Sequence, residues 1–466
     1  MPSSPTNCHV RAGSSGVTQI EGAPGVTPGA VRCGPLPAWV EHAPPVVPPD
    51  ASAAGFVDNG VCRLLSESQV NLCLPERQWH FRRVQKVLTR AGAERVSHFG
   101  VEFDPAYEQV EIHHVRILRD GQTMEHARDD AFQTFRRETN LEMLMLNGRL
   151  TASLLISDVR VGDIVETAMT VTGSNPALKD RFAGWVTFDD VNPFHQYRHR
   201  QLRPVDRNVA CKPFNEPPAA TTVLANGIVE ACWSLENPIR REIEEYAVPW
   251  QLHLPTLQFT EFPAWSDVSR LFAPYYQSAD LPEILAGEID RLAAEYPDPA
   301  DRAVEWLRFV QRELRYFALS FGEGGLVPRD LASIWSSRFG DCKDAALLYV
   351  AGARRLGLEA CAALTSTTHG IALPDFLPAS DLFNHCIVRL RLEGKSYWLD
   401  PTCSEQAGRL AMLSQVHSGW GLPLSDDADV LERIGSDEPA QQVNIEDEVE
   451  FGPKPDSPAK LTRQIE

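Results

Sequence analysis

The hydrophobic period of this chain changes once, near residue 280, and that change restricts the fold more than any other feature. Before it come short β-branched segments broken by turn residues, such as "EQVEIHHVRIL" (108–118) and "TTVLANGIVEACWSL" (221–235). After it, "YPDPADRAVEWLRFVQRELRYF" (296–317) repeats Val304, Leu307, Val310, Leu314 and Phe317 at intervals of three and four. A period of two builds half-buried strands and a period near 3.6 builds amphipathic helices. The expected fold is therefore a sandwich-like all-β domain over residues 35–260, followed by an α+β core over 275–410.

Local signals refine both halves. "GD" in "LLISDVRVGDIVETAMTVTG" (154–173) is expected to turn a hairpin whose return strand carries Val165, Met169 and Val171 on one face. The helix after Asp298-Pro299 has a capped start and is expected to run to Phe317. A second helix is expected from Cys342 to about Leu356, where Arg354 and Arg355 precede Gly357 as cations and glycine suit a carboxyl end. Strands follow near 358–365, 384–392 and 396–400.

Residues 1–34 are rich in Pro, Gly, Ser and Thr without a hydrophobic period and are expected to be disordered. Residues 411–466 form a C-terminal segment whose last stretch, "VNIEDEVEFGPKPDSPAKLTRQIE" (443–466), reads as one or two strands, the expected start of a further, truncated β domain.

Charge and composition exclude several functions. The 63 acidic residues against 44 lysines and arginines leave a net charge of −19, which repels phosphate backbones and anionic lipid, so nucleic acid is not an expected partner. No apolar run is long enough to span a membrane, and the opening residues lack the basic start and apolar stretch of a signal peptide. The expected location is the cytoplasm. The ten cysteines are scattered with no CxxC pair, which suits a reducing compartment, and neither a metal nor a cofactor is expected. "HQYRH" spaces His195 and His199 four apart, but in a β-rich stretch that spacing does not build a metal site.

One cysteine stands in a distinctive setting. In "SRFGDCKDAALLYV" (337–350), Asp341 is placed as helix N-cap and Asp344 as its capping-box partner, with Cys342 in the first turn. The helix amino end favours a thiolate by roughly 0.3–1 kcal/mol, and the two carboxylates oppose it by a similar amount. A cationic partner must decide the balance.

"FNHCIVRLRLEGKSYWLDPT" supplies a candidate, since His385 begins one strand and Asp400 ends the next. With a two-residue turn at Glu393-Gly394, Leu392 pairs with Lys395 and residue 385 lies opposite 402. Asp400 is then the diagonal neighbour of His385 on the same face, whereas a three-residue loop would part them. Cysteine, histidine and aspartate in this order make a nucleophile, base and orienter. Trp335 is a candidate oxyanion donor or a core residue, Arg338 a candidate partner for Asp341 or a surface residue, and "GEGGLVP" (322–328) a loop approaching the site.

The motifs "RFGDCKDAALL", "FNHCIVRL" and "YWLDPT" closely resemble the core of bacterial transglutaminase-like proteins over roughly residues 275–405. The resemblance implies a papain-like α+β fold with Cys342 as nucleophile, His385 as general base and Asp400 as orienter of the imidazole. More loosely, the β-rich half, with "GPLPAWV", "ISDVRVGDIVE" and "PAWSDVS", looks like the uncharacterised domain that commonly precedes such cores; relatives of this architecture are often longer and exported. The expected activity is that of a thiol enzyme on the amide or peptide bonds of a protein or peptide substrate, hydrolysing them or passing the acyl group to an amine. The alternative is an inactive scaffold of the same fold that binds protein or glycan.

Overall fold

The structure is a computed structural model that describes residues 31–465 apart from 46, 48–56, 139–140, 190–193, 239–240, 249, 278–280, 405, 414–418, 426–429, 436–443 and 452–458. Strands predominate and form several sheets, and the amino-terminal part is β-rich. Among the described residues no helix is long and apolar enough to cross a membrane.

A long sheet organises the amino-terminal part. Its strands lie in the order Val31–Cys33, Gln109–Arg119, Ile164–Thr172, Gln78–Val87, Val61–Asn71, Gln196–Pro204, Ile228–Glu236 and Thr221–Ala225. Register places Val70 opposite Trp79, and Trp79 opposite Val171, so these three share a face. Two three-stranded sheets bury that face. The sheet around Leu150–Leu155 packs Phe99, Phe103 and Ala152 against Ile112 and Val165, and the sheet around Thr256–Thr260 packs Leu257 and Phe259 against Val70 and Trp233.

Two expectations change here. Leu150–Leu155 and Ile164–Thr172 do not pair as a hairpin: the first joins His98–Phe103 and Gln133–Arg136, the second joins Gln78–Val87 and Gln109–Arg119. Val165, Met169 and Val171 do share one core, so alternation fixed the face while partners distant in sequence chose the pairing. Residues 1–30 lie outside the described residues, but Val31–Cys33 is a strand parallel to Gln109–Arg119.

The other face of the long sheet is polar, and residues 34–43 lie across it as a strap. Gln69 accepts from the Glu41 backbone N–H and donates to the Glu41 carbonyl. Arg200 donates to the Trp39 carbonyl at 2.8 Å and to the Glu41 carboxylate at 3.1 Å, and Arg82 donates to the Ala43 carbonyl at 2.6 Å. Buried arginines are thus satisfied by backbone oxygens of the strap and by carboxylates such as Glu166, 2.7 Å from Arg82.

From Trp265 onward helices surround a five-stranded antiparallel sheet, ordered Lys395–Leu399, His385–Leu392, Glu359–Thr365, Trp420–Pro423 and Glu432–Arg433. The last two strands lie beyond residue 410, so part of the segment assigned to a further β domain completes this sheet instead. The exposed hairpin Ile445–Glu450/Lys460–Ile465 follows.

Helix Pro299–Glu313 starts as its sequence predicts, with the Asp298 side chain accepting from Ala300 N, and it buries Val304, Leu307 and Val310. It ends at Glu313 rather than Phe317, because Arg315–Tyr316 pairs as a short parallel strand with Phe339–Gly340. That pairing leads the chain directly into helix Cys342–Arg355.

The two helices are locked by Trp306, whose indole N–H donates to the Tyr349 carbonyl at 2.9 Å. Gly352 makes the approach possible: a Cβ there would lie 2.2 Å from the indole. Gly352→Ala is therefore expected to lower stability by about 1–2 kcal/mol in urea titrations, although alanine favours an open helix by about 1 kcal/mol. Gly287, in helix Glu283–Glu295, has open space where its Cβ would be, so Gly287→Ala is expected to stabilise.

Candidate active site

Helix Cys342–Arg355 begins at a tightly held N-cap. The Asp341 carboxylate accepts from Lys343 N at 3.0 Å and Asp344 N at 3.3 Å. The Lys343 ammonium folds back onto the same carboxylate. Asp344 does not complete a capping box. Its two oxygens accept from Arg329 N and Nε, each at 2.8 Å, because a buried carboxylate gains more from a guanidinium than from one amide.

These pairings alter the electrostatic balance read from local sequence. Both carboxylates beside Cys342 have their own cation, so their opposition to a thiolate is largely neutralised. Burial pushes Lys343 down, but the Asp341 charge reverses this and its pKa is raised. Asp344 is raised by its burial and by Asp341 despite Arg329.

The hairpin brings in the other two groups. Glu393 and Gly394 form its two-residue turn with φ of 51° and 77°, Leu392 pairs with Lys395, and Val388 with Leu399. This register puts His385 and Asp400 diagonally on one face, and His385 Nε2 lies 2.7 Å from Asp400 Oδ2. The second oxygen, Oδ1, accepts from Thr402 N at 2.8 Å and Thr402 Oγ1 at 2.6 Å. Gln311, from helix Pro299–Glu313, donates to the Asp400 carbonyl at 3.1 Å.

His385 and Cys342 line the same cavity. Burial alone would lower the imidazole pKa, but the bond to Asp400, the nearby Cys342 side chain and the charges of both outweigh it and raise the value to about 10. Burial opposes ionisation of Asp400 too, and the bonds to His385 and Thr402 hold its pKa below the usual carboxylate range. His385 and Asp400 are thus paired as the hairpin register predicts, and Cys342 lies along the same cavity as His385.

Several neighbours carry no local signal. Arg329 and Tyr316 reach the site through tertiary packing, and the Cys386 sulfur lies 3.6 Å from the buried Tyr276 hydroxyl. Burial, reinforced by the charge of Cys342, pushes the Cys386 thiol up. Lys343, two residues from Asp341, was the one addition local spacing held.

Trp335 stacks on Phe309, and Arg338 lies over the Trp335 ring at 3.3 Å and pairs with Glu313. Core packing accounts for Trp335, and Arg338 is not the partner of Asp341. "GEGGLVP" forms a 3-10 turn at Gly322–Gly325, and Gly325 and Leu326 line the cavity beside Cys342.

His199 is fully buried on a strand with Ser68 at its Nδ1, and His195 meets Asn237. Among the described residues no three His, Cys, Asp or Glu side chains gather to hold a metal ion.

Residues 76–240 match the DUF3857 family, described as a domain of unknown function with a solved structure. In fold the chain is similar to the crystal structure of a "putative protease" from Parabacteroides distasonis, with a TM-score of 0.63 and 13% identity over 81% of this chain and 72% of that one. A "putative cysteine protease" from Cytophaga hutchinsonii aligns over 43% of this chain and 66% of its own at 14% identity, with a TM-score of 0.23. No curated protein matches the sequence. The first match is longer than either half of the chain, so the shared fold takes in both the β-rich part and the helices that follow.

The ionisation of this site sets its pH dependence. The raised His385 pKa stabilises the fold fully below the unfolded value of about 6.5, and that contribution is lost as pH rises through about 10. The lowered Asp400 pKa contributes above about 3.9 and is lost as pH falls through its folded value. Iodoacetamide is expected to alkylate Cys342 faster than Cys403, because burial and Asp400 raise the Cys403 thiol to about 11, whereas Cys342 faces the cationic form of His385. His385→Ala should remove that advantage and Asp400→Asn should weaken it. Equal rates at Cys342 and Cys403 would show that His385 does not activate the Cys342 thiol.

Proposed function

We propose that the protein is a thiol enzyme of the transglutaminase-like kind, with a papain-like α+β core behind an amino-terminal β domain that ends near residue 260. It acts on amide or peptide bonds. The observation that carries this reading is the His385 ring, hydrogen-bonded to Asp400 at 2.7 Å and lining one cavity with the helix-start thiol of Cys342. The name carried by the Parabacteroides distasonis protein points the same way.

In this reading the Cys342 sulfur attacks the substrate carbonyl carbon while His385 holds the thiol proton. A carbon–sulfur bond forms, the carbon–nitrogen bond breaks, and His385 gives its proton to the departing amine. Asp400 holds the ring's orientation and stabilises its charged form. Water then attacks the thioester with His385 taking its proton, the carbon–sulfur bond breaks, and a carboxylic acid leaves while the proton stays shared between His385 and the freed Cys342 sulfur; an amine at the same step yields a new amide.

Hydroxylamine distinguishes an acyl-enzyme from direct hydrolysis. With peptide substrates, the wild-type protein is expected to form a hydroxamate, and Cys342→Ala to form none. His385→Ala should reduce turnover by about 10²–10⁴-fold. A Cys342→Ala protein that still cleaves at the wild-type rate would remove the proposal, and a wild type inert to every peptide would favour the binding scaffold.

A further inference from the structure

The space beside Cys342 lies between two connections that the helical part does not hold by itself. One, residues 317–327, contributes Gly325 and Leu326 to a cavity of about 80 Å³. The other, residues 366–384, contributes Ser380, Phe383 and Asn384. It joins Glu359–Thr365 to the adjacent antiparallel strand that starts at His385, where a two-residue turn would suffice. Its only regular structure is a pair of 3-10 turns, Gly370–Asp375 and Ser380–Leu382. So long a connection between neighbouring strands calls for a function.

Both walls are fastened to the β-rich half. The side-chain amide of Gln258, fully buried, donates to the Leu377 carbonyl and accepts from the Leu377 N–H, each at 2.9 Å. Thr260 donates to the Pro378 carbonyl at 2.6 Å. The Trp185 indole donates to Asp381 Oδ2 at 2.9 Å, stacks on His369 and meets Phe376 edge-on. At the opposite wall, Ala318–Leu319 pairs in parallel with Met145–Leu146, and the Asn175 side chain donates to the Gly322 carbonyl at 3.1 Å.

We propose that the β-rich half is a working part of the catalytic cleft: it fixes the separation of the two walls, and Gln258 and Trp185 are positioning residues that act on His385 through residues 366–384. The proposal rests on the reading of Cys342 as nucleophile. Gln258 clamps both backbone polar groups of one residue, Leu377, which sets the connection's position along and across strand Thr256–Thr260. A few residues on, Asn384 is bonded to Thr367 and Thr368 at the base of the same connection, so displacement at Leu377 is passed to the residue next to His385. Misplacement of a reacting group by about 1 Å costs up to about 100-fold in rate.

The test uses the full chain carrying Gln258→Ala, Trp185→Phe or Asn175→Ala. Trp185→Phe keeps a ring against His369 and Phe376 and removes only the donor to Asp381, so it stays informative if Gln258→Ala fails to fold. The proposal expects three results from folded variants: faster hydrogen exchange within 366–384 for the first two and within 317–327 for the third, a slower Cys342 alkylation profile, and a fall of about 10- to 100-fold carried by kcat rather than KM. Faster exchange with an unchanged Cys342 profile would make the contacts purely structural and overturn it, as would unchanged exchange. A wild-type Cys342 that reacts no faster than Cys403 would instead sink the nucleophile reading, and this proposal with it.

Discussion

The geometry of the site depends on a turn of two residues. Glu393 and Gly394, both at positive φ, join His385–Leu392 to Lys395–Leu399 without a third residue. Side chains alternate across a strand, so one inserted residue would send Asp400 to the opposite face from His385. The imidazole would then lose its hydrogen bond to Asp400. Burial would lower its affinity for a proton, and the thiol of Cys342 would lose the charged neighbour that distinguishes it from the other cysteines. A choice of loop length thus propagates from backbone register to side-chain pairing and from pairing to ionisation.

What local sequence foretold follows from that range of influence. The Cys342 helix, its Asp341 cap and the His385–Asp400 register are set by residues close together in the chain, and the structure has all three. Asp344 was misread because its partner, Arg329, lies before the intervening helix Leu331–Ser337, and no spacing rule connects them. The hairpin expected at 154–173 failed for the same reason: strands that alternate correctly accept any partner whose face matches. Helix Pro299–Glu313 stops short because the strand Phe339–Gly340 captures the residues after it.

Charge accounting shows a further limit of local reading. From sequence, two carboxylates flank the cysteine and weigh against its ionisation. In the structure each is bound to a cation, Lys343 or Arg329, leaving the helix amino end and His385 as the main local fields. The acidic residues are therefore better described as anchors. Asp341 ties the first turn to its own lysine, and Asp344 ties the helix to the chain entering helix Leu331–Ser337.

The strap across the polar face of the long sheet constrains the order in which the chain can take shape. Residues 34–43 leave the ribosome early, yet their partners are scattered downstream: Gln69, Arg82 and finally Arg200. The Trp39 carbonyl cannot find Arg200 until the strand Gln196–Pro204 has been made and laid beside Val61–Asn71. Loop closure over such a separation is slow compared with local hairpins. The strap is thus among the last segments to settle during synthesis, and until then the buried arginines of that face stand open to water.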